Sequence, residues 1–423
     1  MTAAEPGGAA VGGASALLVA FAGLVSLAVA MGIGRFAFTP ILPLMLRDGV
    51  VDIASAGWLA SANYLGYLAG ALFCTFQPWL AARITWLPAS GDATRSIRAG
   101  LAATALLTLG MALPLAAAWP LLRFGAGVAS AVTLVHTTGW CFAQLSARGR
   151  PAIGSLIFVG PGAGIIASGG VASGVVAAHG SAAVGWAVSA LLATGLTALV
   201  WRVLGSANAA GIVLGGDAGS TPDAPLPSRH GRAELATLAL AYGLAGFGYI
   251  VTATFLPVIA RAALPGTPWI DLFWPVFGTG AVLGALLATR AVPATDRRHL
   301  LAGAYAIQAG GVFIGIAWPS IVGFTVGSFF AGLPFTTITF FALQETHRLR
   351  PRHAASAIGL VTAVYGIGQI AGPPMVSWLV AHSAQLAGGF NTSLEIAATV
   401  LLTGAMIYLA MTRLWPLRVV AQR

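Results

Sequence analysis

Long apolar runs, separated by short polar stretches, occupy most of the chain. A transmembrane helix needs about 20 consecutive residues that are mostly apolar. Twelve segments meet this requirement, and their pattern predicts an all-α membrane protein with twelve transmembrane helices. The predicted spans are residues 17–46, 53–80, 99–118, 121–144, 152–176, 184–204, 234–260, 270–289, 299–317, 320–343, 354–381 and 393–412.

The composition supports a membrane location. Hydrophobic residues make up 58% of the chain and charged residues 8%, whereas about 25% of an average soluble domain is charged. The net charge is +10, but the arginines are spread between apolar segments, so a nucleic-acid partner is not expected. Cys74 and Cys141 lie in apolar segments, which argues against a disulfide framework or a metal site. No nucleophile or cofactor motif indicates an enzyme, and we expect neither a cofactor nor a metal.

The arginines also predict how the chain is oriented in the membrane. The chain has 21 basic residues, all of them arginine, and most fall in loops on the side that holds both termini. Because basic residues collect in cytoplasmic loops, both termini are predicted to be cytoplasmic, in a multi-pass protein of the cell (inner) membrane. Residues 1–16 are then a short flexible tail, and residues 413–423 are a second cytoplasmic tail.

The two halves of the sequence repeat each other. Gly32, Gly34 and Pro43 recur with the same spacing as Gly246, Gly248 and Pro257, and further matches include Gly127 with Gly327, Gln144 with Gln344 and Arg148 with Arg348. Six spans separate matched positions, so the halves share one orientation. This predicts two pseudo-symmetric six-helix bundles, residues 17–204 and 234–412. The polar stretch 205–233 between them is predicted to be a flexible cytoplasmic linker.

Several motifs resemble those of the major facilitator superfamily (MFS). Arg123-Phe-Gly-Ala-Gly127 in the fourth span is similar to the Arg-x-x-x-Gly element of this superfamily, and Gly160-Pro161-Gly162-Ala163-Gly164 in the fifth resembles a Gly-Pro element of its antiporters. The stretches GIGRFAFTPILPLML at 32–46 and GWLASANYLGYLAGAL at 57–72 are similar to its YbfB/YjiJ branch. The resemblance implies the MFS fold, with a slight preference for efflux. The loop between spans two and three departs from the superfamily's pattern, because the usual Asp is missing.

Arg35 is the main candidate for a functional residue. An arginine at the middle of a membrane helix costs about 2.5–3.5 kcal/mol on insertion scales, so it is rare there without a function. Glycines and prolines surround it, which predicts a broken helix that holds a cation at membrane depth. A guanidinium binds a carboxylate through two hydrogen bonds, so we predict an anionic or carboxylate-bearing solute. In the alternative, Arg35 extends to the membrane interface and is structural.

Other side chains of the spans are candidates for the same site. His136 could relay protons, because its unperturbed pKa is near 6.5, or it could bond to a neighbouring helix. The threonines of the second half could equally bond to local backbone. The predicted solute-binding residues are Arg35, Phe36, Thr39, Asn63, Tyr67, His136, Tyr249, Thr252, Thr336 and Gln369, and the predicted coupling or gating residues are His136, Arg123 and Asp271.

Four Gly-x-x-x-Gly pairs predict close helix packing. Glycine has no Cβ, so a neighbouring backbone can approach it closely. The pairs are Gly66 and Gly70, Gly280 and Gly284, Gly311 and Gly315, and Gly368 and Gly372.

Together these patterns predict a secondary active transporter for a small organic solute. It would rock two halves around a central site, and its expected partners are the solute and membrane lipids, with the protein as a monomer. No Asp or Glu lies in the middle of a span, so proton coupling would need His136, an acid at a span end, or a solute that carries the proton. The alternatives are a non-transporting membrane ligand sensor, although a large soluble output region is missing, and a passive channel.

Overall fold

The computed structural model describes residues 15–81, 83, 93–206, 231–290, 296–350 and 354–417. All regular structure in these residues is helical, and we number the α-helices in chain order. The first half of the chain, residues 15–206, contains α1 (Ala16–Leu27), α2 (Phe38–Arg47), α3 (Ile53–Ala81), α4 (Ala93–Gly110), α5 (Trp119–Ala147), α6 (Val159–Ala177) and α7 (Ala182–Ser206). The second half, residues 231–417, contains α8 (Gly231–Ala263), α9 (Phe273–Ala288), α10 (Arg297–Ala317), α11 (Ile321–Gly332), α12 (Phe335–Leu349), α13 (Ala354–Ala381) and α14 (Leu386–Leu414).

Ten helical segments of the described residues are long and apolar enough to cross a membrane. The chain is therefore a multi-pass membrane protein. The two remaining predicted spans correspond to α4 and α13, which do not meet this criterion of length and composition. The predicted linker lies mainly at residues 207–230, and the predicted tails at 1–14 and 418–423, outside the described residues.

The predicted boundaries of the third span, 99–118, are wrong. α4 begins at Ala93 and ends at Gly110, ahead of Pro114, which has no N–H to continue a helix. Arg95 and Arg98, which precede the predicted span, therefore lie in the first turns of α4. The Nη2 atom of Arg98 donates to the carbonyl oxygen of Trp201 at 2.6 Å. This hydrogen bond to the distant end of α7 compensates the charge of Arg98. A hydropathy pattern takes no account of such a contact and leaves the arginine outside the span. The last span also begins earlier than predicted, at Leu386.

The first predicted span is broken at its centre. α1 passes into a π-helix at Ala28–Ile33, the chain turns at residues 34–37, and α2 begins at Phe38. Gly32 lies so close to α6 that a Cβ atom there would overlap the backbone of Gly164. Arg35 therefore lies in an irregular turn between two helical pieces.

The second copy of this stretch is not broken. α8 runs from Gly231 to Ala263 without interruption, with Pro257 inside it. In the first half, Arg123 donates to the carbonyl oxygens of Gly34 and Arg35, both at 3.2 Å, and so satisfies backbone groups at the break. Gly323, at the repeat position of Arg123, has no side chain to do this. Unsatisfied backbone groups are costly inside a membrane, and the continuous helix α8 has no irregular turn whose carbonyl groups would need such a donor.

Helices of the two halves pack against each other mainly in three pairs, namely α3 with α13, α6 with α9, and α2 with α8. Ser61 donates to the carbonyl oxygen of Ile370 at 3.1 Å, and Ser377 donates to that of Ile53 at the same distance. Thr39 donates to the carbonyl oxygen of Ala253. The turn that carries Arg35 is therefore enclosed between the two halves of the chain.

A cluster of five charged side chains joins helices of the second half at the predicted cytoplasmic end. We call Glu234, Asp296, Arg298, Glu345 and Arg348 the charged cluster. Arg298 donates to Asp296 at 2.8 Å and to Glu234 at 3.3 Å, and Arg348 donates to Glu234 at 2.8 Å and to Glu345 at 2.6 Å. The cluster therefore connects α8, α10 and α12. The loop at the corresponding position of the first half, residues 84–92, lies outside the described residues.

Candidate functional site

Arg35 is buried at the contact between the two halves, with 2% of the residue exposed. Its Nη2 atom donates to the Oε1 atom of Gln369 on α13 at 3.0 Å. The guanidinium carbon lies 4.0 Å from the ring centroid of Tyr67 and 5.3 Å from those of Tyr64 and Phe36. Arg35 thus points into the protein and does not extend to the membrane interface, and its role in solute binding stays a prediction.

No carboxylate among the described residues lies within ion-pair distance of Arg35 or Arg123. A buried cation without a counter-ion is unfavourable, and cation–π contacts with tyrosine and phenylalanine rings offset only part of that free energy. The Nε atom of Arg35 is also buried and has no hydrogen-bond partner among the described residues. The site is therefore electrostatically suited to an anion.

Gln369 connects Arg35 to the second half. Its Nε2 atom donates to the hydroxyl oxygen of Tyr249 on α8 at 2.5 Å, while its Oε1 atom accepts from Arg35. A guanidinium can only donate, so the amide must present its oxygen to Arg35 and its nitrogen to Tyr249. Gln369 is fully buried, and the close packing of Gly368 against α8 fixes its position.

Aromatic rings from both halves surround this hydrogen-bond chain. Tyr249 stacks on Tyr365 with centroids 5.7 Å apart, and Tyr365 stacks on Tyr242 at 4.4 Å. Phe335 contacts Tyr249 at 5.0 Å and Phe36 of the first half at 5.5 Å. The rings form a low-dielectric wall, in which a hydrogen bond to the guanidinium is stronger than in water.

Arg123 shapes the turn that carries Arg35. Besides its two bonds to the backbone of that turn, its guanidinium carbon lies 4.8 Å from the ring centroid of Phe38. Asn63 donates to the backbone carbonyl of Arg123 at 2.9 Å. Arg123 and Asn63 therefore act on the backbone around Arg35, and the gating role of Arg123 and the solute contact of Asn63 stay predictions.

The three predicted threonines do not point to Arg35. Thr39 bonds to the backbone of Ala253, and Thr336 bonds to the carbonyl oxygen of Ala281 at 3.2 Å. Thr252 lines a small cavity of about 20 Å³ between α8, α10, α11 and α14. The proposed role of these threonines in solute binding stays a prediction.

His136 and Asp271 lie apart from the hydrogen-bond chain of Arg35. His136 is half-buried on α5, and its Nε2 atom has no hydrogen-bond partner among the described residues. Asp271 pairs with Arg261 at 2.6 Å, near the end of α8. Ser173 of the first half donates to the carbonyl oxygen of Asp271 at 3.4 Å. Asp271 therefore lies where the halves meet at the membrane end opposite the charged cluster.

The structure places five of the predicted solute-binding residues in one site, namely Arg35, Phe36, Tyr67, Tyr249 and Gln369. The predicted set omits five aromatic residues that line this site, namely Tyr64, Tyr242, Trp274, Phe335 and Tyr365. An aromatic residue in an apolar span looks the same in the sequence whether it faces lipid or a site. One feature of the sequence could have indicated Phe335 as a site residue. Pro334 precedes it, and α11 ends and α12 begins there.

Comparisons with known proteins agree with this architecture. The family model for uncharacterised MFS-type transporter YbfB matches residues 27–409. Two solved structures of the nucleoside transporter NupG, one of them a point mutant, are similar in fold. The mutant has a TM-score of 0.68 at 18% sequence identity, covering 93% of this chain and 99% of that chain. The other has a TM-score of 0.64 at 16% identity, covering 94% and 99%. No curated protein sequence matches the chain.

These matches identify the chain as a membrane transporter of the major facilitator superfamily, and not an enzyme. Its all-helical membrane fold, with a buried cation between the two halves, agrees with that class. Within that superfamily, the chain belongs to the family of uncharacterised MFS-type transporters YbfB, whose model covers most of its length.

Proposed function

We propose that this protein is a secondary active transporter that moves a small organic anion, carrying a carboxylate, by alternating access. The observation that supports this proposal is Arg35, a buried guanidinium between the halves with no carboxylate partner among the described residues and with an unpaired Nε donor. A carboxylate on the solute would supply the missing negative charge and accept bonds that the protein leaves unmade.

The proposal includes twelve spans arranged as two six-helix bundles. α4 and α13 supply the two crossings beyond the ten apolar segments, and the internal repeat of the sequence supports the pairing of the bundles. In the proposed orientation both termini are cytoplasmic, because the arginine-rich loops lie on the side of the termini. The proposal also takes the protein to be a monomer in the inner membrane. In this proposal Arg35, which is enclosed by the packing of α2 against α8 and of α3 against α13, lies on the path between the two sides.

The solved structures with a similar fold are described as nucleoside transporters, but the site of this chain favours a different solute. A nucleoside has no carboxylate to neutralise Arg35, and at 16–18% identity the likeness concerns the fold alone. Nucleosides are accordingly a useful neutral reference class in the experiment below.

Proton coupling is part of the proposal, with His136 as the residue that would exchange the proton. His136 lies near the middle of α5, and the ordinary pKa of a histidine is near neutrality. Its Nε2 atom has no partner among the described residues. The pair of Asp271 and Arg261 would gate the opposite end, and the Gly-Pro element at Gly160–Gly164 resembles antiporters and favours efflux.

Replacing Arg35 by alanine is expected to abolish binding of carboxylates. Hydrogen bonds to a charged group contribute about 1.5–3 kcal/mol each, so the affinity should fall by about 10- to 100-fold or more. The purified protein is screened by thermal shift against acetate, benzoate, succinate, sugars, amino acids and nucleosides, because a ligand of the folded state raises the melting temperature. The acids that bind are then tested for counterflow in proteoliposomes, which only a carrier performs.

Arg202→Ala is the matched control, because Arg202 is an exposed arginine at the end of α7. We expect it to bind and transport acids as the unmodified protein does, and Arg35→Lys to keep part of the binding through its charge. Full transport of an acid by Arg35→Ala would contradict the proposal. So would a screen in which only nucleosides or sugars raise the melting temperature.

A further inference from the structure

The edge of the Arg35 guanidinium that faces Gln369 is only half used. The Nη2 atom donates to Gln369 Oε1 at 3.0 Å, while the adjacent Nε atom is buried without a partner among the described residues. Nε and Nη2 project their N–H groups in parallel from one edge of the guanidinium. Two parallel N–H groups are the arrangement that binds both oxygens of a carboxylate.

A second arginine of the same chain shows this edge fully occupied. Arg298 donates from Nε to Asp296 Oδ1 at 3.0 Å and from Nη2 to Asp296 Oδ2 at 2.8 Å. At Arg35 one amide oxygen stands in the place of one of these two carboxylate oxygens. A carboxylate can satisfy both N–H groups, whereas the single oxygen of Gln369 satisfies one.

The amide oxygen of Gln369 is also a weaker hydrogen-bond acceptor than a carboxylate oxygen. It is neutral, and a hydrogen bond between two charged groups is roughly twice as strong as one between neutral groups. Its amide group is not free to turn its nitrogen to Arg35, because that nitrogen donates to Tyr249 at 2.5 Å. A solute carboxylate that bound Nε and Nη2 together would therefore compete with the oxygen of Gln369 at the Nη2 atom.

We infer that Gln369 is an internal competitor that the solute's carboxylate displaces from Arg35. This inference rests on the proposed function, since it assumes that the solute binds Arg35. Gln369 sets the affinity for acids by occupying Nη2 when no acid is bound. Because Arg35 belongs to the first half and Gln369 to the second, the displacement also removes a hydrogen bond between the halves. Binding of the acid then changes the relative stability of the two arrangements of the halves, which is what a carrier requires of its solute.

Replacing Gln369 with methionine is expected to strengthen the binding of acids. Methionine has a similar length but no strong acceptor, so the competitor is removed and the affinity for acetate, benzoate or succinate should rise about tenfold. Gln369→Glu should have the opposite effect, because the carboxylate of the new side chain would accept from both the Nε and the Nη2 atoms of Arg35. We expect acid binding to be lost in Gln369→Glu and its melting temperature without acid to exceed that of the unmodified protein.

The measurement is the acid concentration that gives half of the maximal thermal shift, on the purified full-length protein. Gln308→Met is the control, since Gln308 is another buried glutamine of the second half, bonded to the carbonyl oxygen of Ala331 at 2.9 Å. It should leave acid affinity unchanged. If Gln369→Met weakens acid binding while Arg35→Ala still abolishes it, Gln369 contacts the solute directly, and the competitor role is overturned although the proposed function stands.

Two further outcomes are decisive. If Gln369→Met does not fold, Gln369→Glu still tests the inference, and acid binding of normal affinity in that variant would overturn it. If no acid shifts the melting temperature of the unmodified protein, the proposed function fails first, and the competitor role fails with it.

Discussion

Replacing Arg298 by alanine is expected to lower the free energy of unfolding by about 3–5 kcal/mol, the usual effect of removing one partner of a buried ion pair. Arg298 is fully buried, and Glu234 and Glu345 beside it are 2% and 1% exposed. Without Arg298, these two carboxylates share the single guanidinium of Arg348. The carbonyl oxygens of Met411 and Trp415, which accept from Arg298 at 3.2 and 2.8 Å, also lose their donor. Thermal unfolding of the detergent-purified protein measures the effect.

The neighbouring arginine supplies the matched control. Arg297 is half-buried and donates to the Oε1 atom of Gln344, a neutral acceptor, at 2.8 Å. A bond of this kind, with one charged partner, contributes about 1.5–3 kcal/mol, so Arg297→Ala should reduce the melting temperature less than Arg298→Ala does. Equal melting temperatures for the two alanine variants would show that the charged cluster does not hold α8, α10 and α12 together.

The charged cluster also predicts a dependence on pH. Burial by itself would raise the pKa of Asp296, but hydrogen bonds from Arg298 outweigh it and lower the pKa below its ordinary value of 3.8. A carboxyl group whose pKa is lower in the folded state stabilises the fold above its unfolded pKa and loses that contribution as the pH falls through its folded pKa. The difference in melting temperature between the unmodified protein and Arg298→Ala should therefore shrink below about pH 4.

Alanine at Gly284 is expected to destabilise the protein by about 1–3 kcal/mol, the range for an overfilled contact. A Cβ atom at this position of α9 would overlap the carbonyl oxygen of Leu333 and lie 3.1 Å from the hydroxyl of Thr337. The helices would have to separate, and the loss of contacts exceeds the roughly 1 kcal/mol that alanine gains over glycine in a helix. The melting temperature should fall accordingly.

The same substitution at Gly315 should have the opposite sign. Gly315 belongs to one of the four predicted Gly-x-x-x-Gly pairs, but a Cβ atom there would meet nothing within 4 Å. Gly315→Ala therefore keeps only the gain in helix propensity, and the melting temperature should stay the same or rise slightly. A fall as large as that of Gly284→Ala would mean that α10 packs differently from this structure.

The Gly-x-x-x-Gly spacing predicts close helix packing at most, but not all, of these glycines. Seven of the eight glycines lie against a neighbouring helix closely enough to exclude a Cβ atom, and Gly315 does not. Spacing shows which glycines share a helix face, but it does not show how much room a Cβ atom would have at each of them. The boundaries of α4 illustrate the same difficulty, because Arg98 is compensated by Trp201, a residue far away in the sequence.

The sequence by itself determined the helical membrane class, the position of the broken first span, and the unusual presence of Arg35 within it. Those features depend on local apolar length, on glycine and proline, and on the free energy of a charge in lipid, all of which act along one stretch of chain. Only the tertiary structure decided that Arg35 meets Gln369 and Tyr249, that Thr39 and Thr336 turn to backbone carbonyls, and that α8 stays unbroken. These outcomes depend on which side chains of distant helices come within hydrogen-bond distance, as Arg123 does for the carbonyl oxygens of Gly34 and Arg35.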